Sequence, residues 1–205
     1  MRLTKGQWLL AVVSGTYVAL FGAYFTIAKN FEFLWYVAVM VFFFGLIFLT
    51  IRFTHFTLPV LWGLSLWGFL HMAGGGIRVG EEVLYALTIV PINVDGEFTF
   101  LKYDQFVHAY GFGMATIALY QLLAHRWANG SGLLATASAI GAMGLGSLNE
   151  LVEFVAVVAI AETGVGGYVN TGLDLVANTV GTVGVAAFLY VRDKRRESLE
   201  TAGSV

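Results

Sequence analysis

The chain has 205 residues, of which 58% are hydrophobic and 12% charged, with a formal net charge of -2 and no cysteine. A soluble domain carries roughly 25% charged residues, so this composition excludes an ordinary soluble fold, and the charge balance supplies no broad basic surface for nucleic acid. Disulfide and thiolate chemistry are excluded with the cysteines, although their absence does not identify a compartment.

Six apolar runs follow in chain order, at about Trp8 to Ala28, Phe31 to Arg52, Phe56 to Gly74, Asp104 to His125, Leu133 to Ile160 and Gly172 to Val191. Each reaches the roughly 20 residues that cross about 30 Å of hydrocarbon as helix. Arg2 and Lys5 precede the first run as in a signal peptide. That run is too long for an ordinary signal core and no cleavage site ends it, so a retained helix is expected. Arg52 and His55 separate the second and third runs, and Pro59 falls in the first turn of the third, where its missing N–H costs little. The connection at residues 76–102 contains VLYALTIVPI from Val83 to Ile92, an apolar stretch too short to span. It reads as an interfacial or re-entrant segment, or as a loop packed across the bundle mouth, and Pro91 would end it if helical. The fifth run is long enough to tilt. Residues 192–205 form a tail containing VRDKRRE, suited to anionic lipid.

The expected fold is therefore an all-α integral membrane protein, one domain over residues 1–205, built as a six-helix transmembrane bundle in the cell membrane. Basic residues set its orientation. With both termini cytoplasmic, the inside collects Arg2, Lys5, Arg52, Arg126, Arg192, Lys194, Arg195 and Arg196. The outside keeps Lys29, Arg78 and Lys102, and loop 76–102 becomes extracytoplasmic with Glu81, Glu82, Asp95 and Glu97.

Against this apolar background a few polar groups stand out. They are His71; Tyr103, Asp104 and His108; Glu150 and Glu153; and Asp174 and Asn178. Up-and-down topology brings all of them to the same half of the membrane, whichever way the protein is inserted. Asp104 with His108 and Asp174 with Asn178 are four residues apart, and Glu150 with Glu153 three apart, so each pair shares a helical face. Ionisable groups are costly in a bilayer and mark functional sites when they recur. Carboxylates beside imidazole can ligate a divalent cation, relay protons or position water. Asp104, His108 and Asp174 are the candidate metal ligands; Glu150, Glu153 and His108 the candidate catalytic groups; His71, Asn178 and Tyr103 the candidate ligand-positioning groups. Structural readings compete. Asp104 and Asp174 could cap helices, the glutamates could cross-link them, and Asn170 and Thr171 read as turn or capping residues. Gly141, Gly144, Ala177, Gly181 and Gly184 suit close helix packing. Neither GLGSLN nor HMAGGG has the context of a phosphate loop.

The segments YDQFVHAYGFG from Tyr103 to Gly113, GSLNELVEF from Gly146 to Phe154 and NTGLDLVANTVG from Asn170 to Gly181, with His71 in HMAGGG, resemble an uncharacterised inner-membrane family typified by YjdF. More distantly they resemble the VanZ-like membrane proteins, and the likeness covers mainly the C-terminal half. In VanZ-like proteins an Asp and a His open one span, a Glu sits in the next and an Asp followed by an Asn opens the last. The resemblance carries this pattern to Asp104, His108, Glu150 or Glu153, Asp174 and Asn178, with a wider glutamate spacing here than the Glu-Gln pair of VanZ. It implies a link to glycopeptide resistance for VanZ itself but no transferable reaction.

The leading expectation is metal-assisted chemistry at an outer-leaflet site acting on a lipid or a lipid-linked envelope intermediate, with a divalent metal as cofactor and membrane lipid as partner. A proton- or ion-coupled transporter and a non-catalytic scaffold or accessory subunit are the alternatives.

Overall fold

The computed structural model describes residues 3–91, 93–94, 98–99, 101–127, 131–160 and 167–203. Arg2, Ile92, Asp95 and Glu97, to which the sequence reading assigned places, lie outside them. Six helices make up the bundle: α1 (Lys5–Ile27), α2 (Phe31–Thr54), α3 (Leu58–Gly76), α4 (Tyr103–Ala124), α5 (Ser131–Ala159) and α6 (Tyr168–Gly203). Five of them, all but α3, are long and apolar enough to cross a membrane. α3 has 19 residues, including several glycines, and spans about 28 Å at the α-helical rise. The expected spans and the observed helices coincide within a few residues, except that α6 continues well past Val191 into the basic tail.

Local chemistry sets the boundaries. Thr4 caps α1 by accepting the Gln7 N–H at 3.2 Å, and Gln7 Oε1 accepts the Thr4 N–H at 3.0 Å, a reciprocal cap. Asn30 caps α2 through the Phe33 N–H at 3.0 Å. Lys29 and His55 take the left-handed conformation, with φ of 52° and 51°, and so turn the chain sharply after α1 and α2. These short turns reverse the chain after α1 and after α2, and contacts of α4 with α3 and with α6 bring the end of α3 and the starts of α4 and α6 to one end of the bundle.

The connection between α3 and α4 is a compact cap rather than a helix. It contains the antiparallel pair β1 (Arg78–Val79) and β2 (Glu82–Val83), a 3-10 turn at Leu84–Ala86, and a second pair, β3 (Asn93–Val94) and β4 (Phe98–Thr99). Ile89 and Val90 donate their N–H groups to the Leu101 carbonyl, which ties the extended part of the apolar segment back to the start of α4. Tyr85 anchors the cap because Gly74 leaves room for its ring: a Cβ at Gly74 would stand 2.6 Å from the ring.

Packing is uneven around the bundle. α4, α5 and α6 form a tight trio, whereas α2 touches its neighbours chiefly near its start, where Glu32, Phe33 and Tyr36 are its buried residues. Phe25, Phe33, Tyr36, Met72 and Ala156 gather α1, α2, α3 and α5 at the capped end. At the opposite end Tyr120, Leu134, Ala135, Ala139, Ala186 and Leu189 close the trio. Many large apolar side chains, including Phe42, Leu49, Phe53 and Val158, face outward, as lipid-facing surfaces require. Tyr120 donates to the Asp193 carboxylate, and the Arg192 guanidinium lies 5.6 Å from the Tyr120 ring centre, fastening α4 to α6 beyond the apolar seal. Of the glycines expected to mediate packing, Gly181 does so most severely. A Cβ there would collide with the Ala109 carbonyl and lie 2.9 Å from its Cα, so α4 and α6 meet backbone to backbone. Gly144 and Gly184, by contrast, face open space and mediate no contact within 4 Å.

Candidate metal centre

The close approach at Gly181 places Asn178, one turn earlier on α6, against His108 on α4. His108 Nδ1 lies 3.0 Å from Asn178 Oδ1, and both residues are almost fully buried. An amide oxygen only accepts, so with Oδ1 toward the ring the Nδ1 position carries a proton, and in the neutral imidazole Nε2 then keeps its lone pair. The Asn178 Nδ2 side faces Gly146, where only a glycine leaves it space. His108 Nε2 faces Asp104 Oδ1 at 3.5 Å and Glu153 Oε1 at 3.9 Å, while Nδ1 lies 3.5 Å from Glu150 Oε1.

Asp174 completes the group from α6 and has no exposed surface. Potential ligand atoms of Asp104, His108 and Asp174 lie within 4.8 Å of one another, and so do those of His108, Glu150 and Glu153. His108 is common to both triads. The cluster is thus assembled from three helices by i,i+4 and i,i+3 pairs, as their spacing predicted. A mixed nitrogen and oxygen donor set of this kind suits borderline or hard divalent cations. Both Glu150 oxygens are buried and have no hydrogen-bond partner among the described residues, nor has Asn178 Nδ2. Buried polar atoms normally find partners, so these atoms carry hydrogen-bonding or ligating capacity beyond their contacts with the described residues.

A second set of amides holds the carboxylates in place. Gln105 Nε2 donates to Asp174 Oδ1 at 2.9 Å, and its Oε1 accepts the Lys102 N–H at 2.7 Å. Asn170 Nδ2 donates to Asp174 Oδ2 at 2.6 Å and Asp104 Oδ2 at 3.2 Å. Asn149 Nδ2 donates to Glu153 Oε1 at 2.8 Å. Outer partners of this type fix the orientation of metal-binding carboxylates. Gln105 and Asn149 were missed in the sequence because an amide next to a carboxylate has no distinctive spacing. Asn170 was read as a turn or cap, but α6 begins at Tyr168, which puts Asn170 and Thr171 inside the helix. The capping alternative for Asp174 fails for the same reason, since it stands almost two turns in. Lys102, not Asp104, is the residue at the cap position of α4.

Two expected positioning residues stand apart from the triads. Tyr103 donates its hydroxyl to the Leu70 carbonyl at 3.0 Å and so ties α4 to α3. His71 Nδ1 pairs with the Tyr85 hydroxyl at 2.5 Å beneath the cap. Burial, reinforced by the charges of Asp104 and Glu153, pushes the Tyr85 phenol well above its ordinary range, so it stays neutral. Between these residues and the cluster is a cavity of about 130 Å³, reached by Glu32, Tyr36, His71, Tyr85, Asp104 and Glu153 among others. Glu32 and Tyr36 had not been singled out, although they lie one turn apart directly after the Asn30 cap.

A family model for predicted membrane proteins, DUF2238, matches residues 9–195, which include every residue of the cluster. The chain belongs to the DUF2238 family. This corrects the resemblance to YjdF-type and VanZ-like proteins: the match is to a distinct family and runs through nearly the whole chain rather than its C-terminal half. The physical reason is that short Asp, His, Glu and Asn patterns recur wherever membrane helices turn polar faces toward one another, so they are weak family signatures. No curated protein and no solved structure matches the chain. Membership in DUF2238 carries the membrane character of the protein, and the chemistry has to come from the cluster.

Proposed function

We propose that the protein holds a divalent cation at the His108 cluster and uses it for chemistry on a lipid or lipid-linked envelope intermediate in the outer half of the membrane. The observation that carries this reading is the convergence of Asp104, Glu150, Glu153 and Asp174 on His108, all buried or nearly so between three helices. A divalent cation there supplies Lewis acidity toward a carbonyl or phosphoryl oxygen and acidifies bound water. Asp104, His108 Nε2 and Asp174 are its holders in this scheme. Glu153, near the same ring nitrogen, is a further ligand or base, and Glu150, on the opposite side of the ring, accepts a proton. Asn178 keeps the imidazole in the tautomer that leaves Nε2 available.

The placement in the outer half rests on the basic residues, which put both termini in the cytoplasm. A transporter needs alternating access to both faces, and the interior below the cluster gives that reading little support. Its buried Thr116, Ser138 and Thr182 hydroxyls bond to carbonyls of their own helices, and the far end is closed by apolar side chains.

Elemental analysis of protein purified without chelator tests the reading. The expectation is about one equivalent of a transition metal or of magnesium, lost in His108→Gln and in Asp174→Asn while circular dichroism keeps its helical signal. Wild-type protein that retains no metal after equilibration with magnesium, manganese, iron or zinc sinks the proposal.

A further inference from the structure

Two of the four histidines play no part in the cluster and pair with each other at the opposite end of the bundle, about 26 Å along α4 from His108. His55 is the left-handed residue that ends α2, and His125 follows the last turn of α4. Their ring centres are 4.2 Å apart with planes 31° from parallel, and both residues are exposed. A second rung joins the same two segments. Gln121, one turn before His125, accepts the Thr57 N–H at 3.0 Å and donates to Thr57 Oγ1 at 2.9 Å. This reciprocal amide fixes the turn after α2 against the end of α4, so the two imidazoles meet on a frame that is set independently of them.

What such a pair can hold follows from its donors. Two imidazolium rings at this separation would repel, whereas two neutral ones each expose a nitrogen lone pair. A tetrahedral cation with bonds of about 2.0–2.1 Å to nitrogen needs two ligand atoms about 3.3 Å apart, so a closing movement of about 1 Å brings the stacked rings into chelating range. Among the described residues no carboxylate joins the pair as a third ligand. At this end of the bundle Asp193 is engaged by Tyr120 and Arg192, and Glu197 by Lys194. Arg52 and Arg126 stand close to the two histidines in sequence, so a cation there gains nothing from charge attraction. Magnesium and calcium, which bind through oxygen and charge, are disfavoured on both counts. Imidazole nitrogen without carboxylate suits the borderline transition metals.

We propose that His55 and His125 form a second metal site, for a borderline divalent transition cation of the copper, nickel and zinc class, bound through one nitrogen of each ring with water in the remaining positions. Because both ligands are exposed, the ion exchanges with solution and keeps positions open for a further ligand. Ligation bridges the α2–α3 turn and the end of α4, adding metal bonds to the Gln121–Thr57 clasp. The site differs from the His108 cluster in chemistry as well as place. It offers two nitrogens, where the cluster offers one imidazole among carboxylates. It stands independently of the function proposed for that cluster.

The test uses the full chain in nanodiscs, carrying no polyhistidine tag, with copper(II) added stepwise. Copper is the probe because it stands highest in affinity among the divalent first-row ions, and because pulsed EPR counts the imidazoles bound to it. Wild-type protein should show a copper species with two coordinated imidazoles. His55→Gln and His125→Gln should each remove that species and weaken copper binding at this site by at least about tenfold, since even outer partners of a metal ligand are worth that much. His55→Phe keeps a ring for stacking without a ligand atom. It should lose the same species while melting with wild type in the presence of chelator, which separates ligation from packing. Excess zinc should displace the two-imidazole copper and excess magnesium should not. A wild-type spectrum without a two-imidazole species, or one in which that species survives either glutamine substitution, overturns the proposal; displacement by magnesium overturns the assignment to a nitrogen-seeking ion.

Discussion

Replacing Gly181 by alanine tests whether the backbone contact between α4 and α6 is what assembles the cluster. The new methyl would lie 2.9 Å from the Ala109 Cα and still closer to the Ala109 carbonyl, against an ordinary carbon contact of about 3.5 Å or more. The obstacle is backbone, so no side chain can swing aside and the helices must part by about 1 Å. The His108–Asn178 hydrogen bond, 3.0 Å long, would then leave bonding range, and Asp174 would withdraw from His108 and Asp104. Overpacking of this kind costs about 1–3 kcal/mol, the rigid site favouring the upper end, and the lost hydrogen bond costs about 1 kcal/mol more. Alanine's better helix propensity returns about 1 kcal/mol, which leaves a net loss of about 3 kcal/mol. Gly184→Ala is the internal control, since nothing lies within 4 Å of its Cβ and only the propensity gain remains. Melting curves in nanodiscs, followed by intrinsic fluorescence alongside metal content, should show Gly181→Ala destabilised and depleted of metal, with Gly184→Ala equal to or above wild type. If the two variants melt together at or above wild type, the close contact is not what holds the cluster.

Other outcomes follow from the same geometry. Glu150→Gln and Glu153→Gln, made separately, should preserve the bundle, and at least one should abolish metal binding; wild-type affinity in both, with a folded Glu150→Leu, Glu153→Leu double variant, would remove the glutamates from the site. At the opposite end, burial alone would raise the Asp193 carboxyl, but hydrogen bonds from Tyr120 and Arg192 outweigh it and hold the group below its usual 3.8. Its contribution is therefore present above pH 3.8 and lost as pH falls through the lower folded value. Asp193→Asn should cost under about 1 kcal/mol near neutrality in chemical denaturation and show no loss at strongly acidic pH; an equal deficit at both would refute this. Single cysteines at Leu3, Leu199 and Val79 in this cysteine-free chain should label from the cytoplasm at the first two positions and from outside at the third, and external labelling of Leu3 would reverse the orientation.

The helices were readable because apolar length is a strong signal in a membrane protein and Asn30 and Pro59 punctuate it correctly. Convergence of Asp104, His108, Glu150, Glu153, Asp174 and Asn178 was readable too, since alternating helices fix depth and three- or four-residue spacings fix a shared face. Depth and face do not fix rotation about the bundle axis. That is why Gln105, Asn149 and Asn170, which hold the carboxylates from neighbouring positions, could not be told from ordinary polar residues. His71 and Tyr103 share the correct depth but turn toward the cap and α3. Glu32 and Tyr36 escaped because α2 is otherwise largely apolar, and their place in the cavity wall depends on Tyr85 being folded back onto Gly74 by a loop whose path has no periodicity.

Helix α2 has a consequence for how a ligand arrives. Its buried residues, Glu32, Phe33 and Tyr36, all fall in its first two turns, and these same residues wall the cavity. Beyond them Val37, Met40 and Phe44 are its apolar contacts with α1 and α3, and much of the remaining surface faces outward, so moving it aside trades apolar protein contacts for chemically similar lipid contacts. Sideways arrival from the bilayer is therefore the cheaper route, compared with dismantling the cap. Occupancy should then follow the mole fraction of the ligand within the membrane plane rather than its aqueous concentration, and it should respond to bilayer thickness, which sets the tilt available to α2.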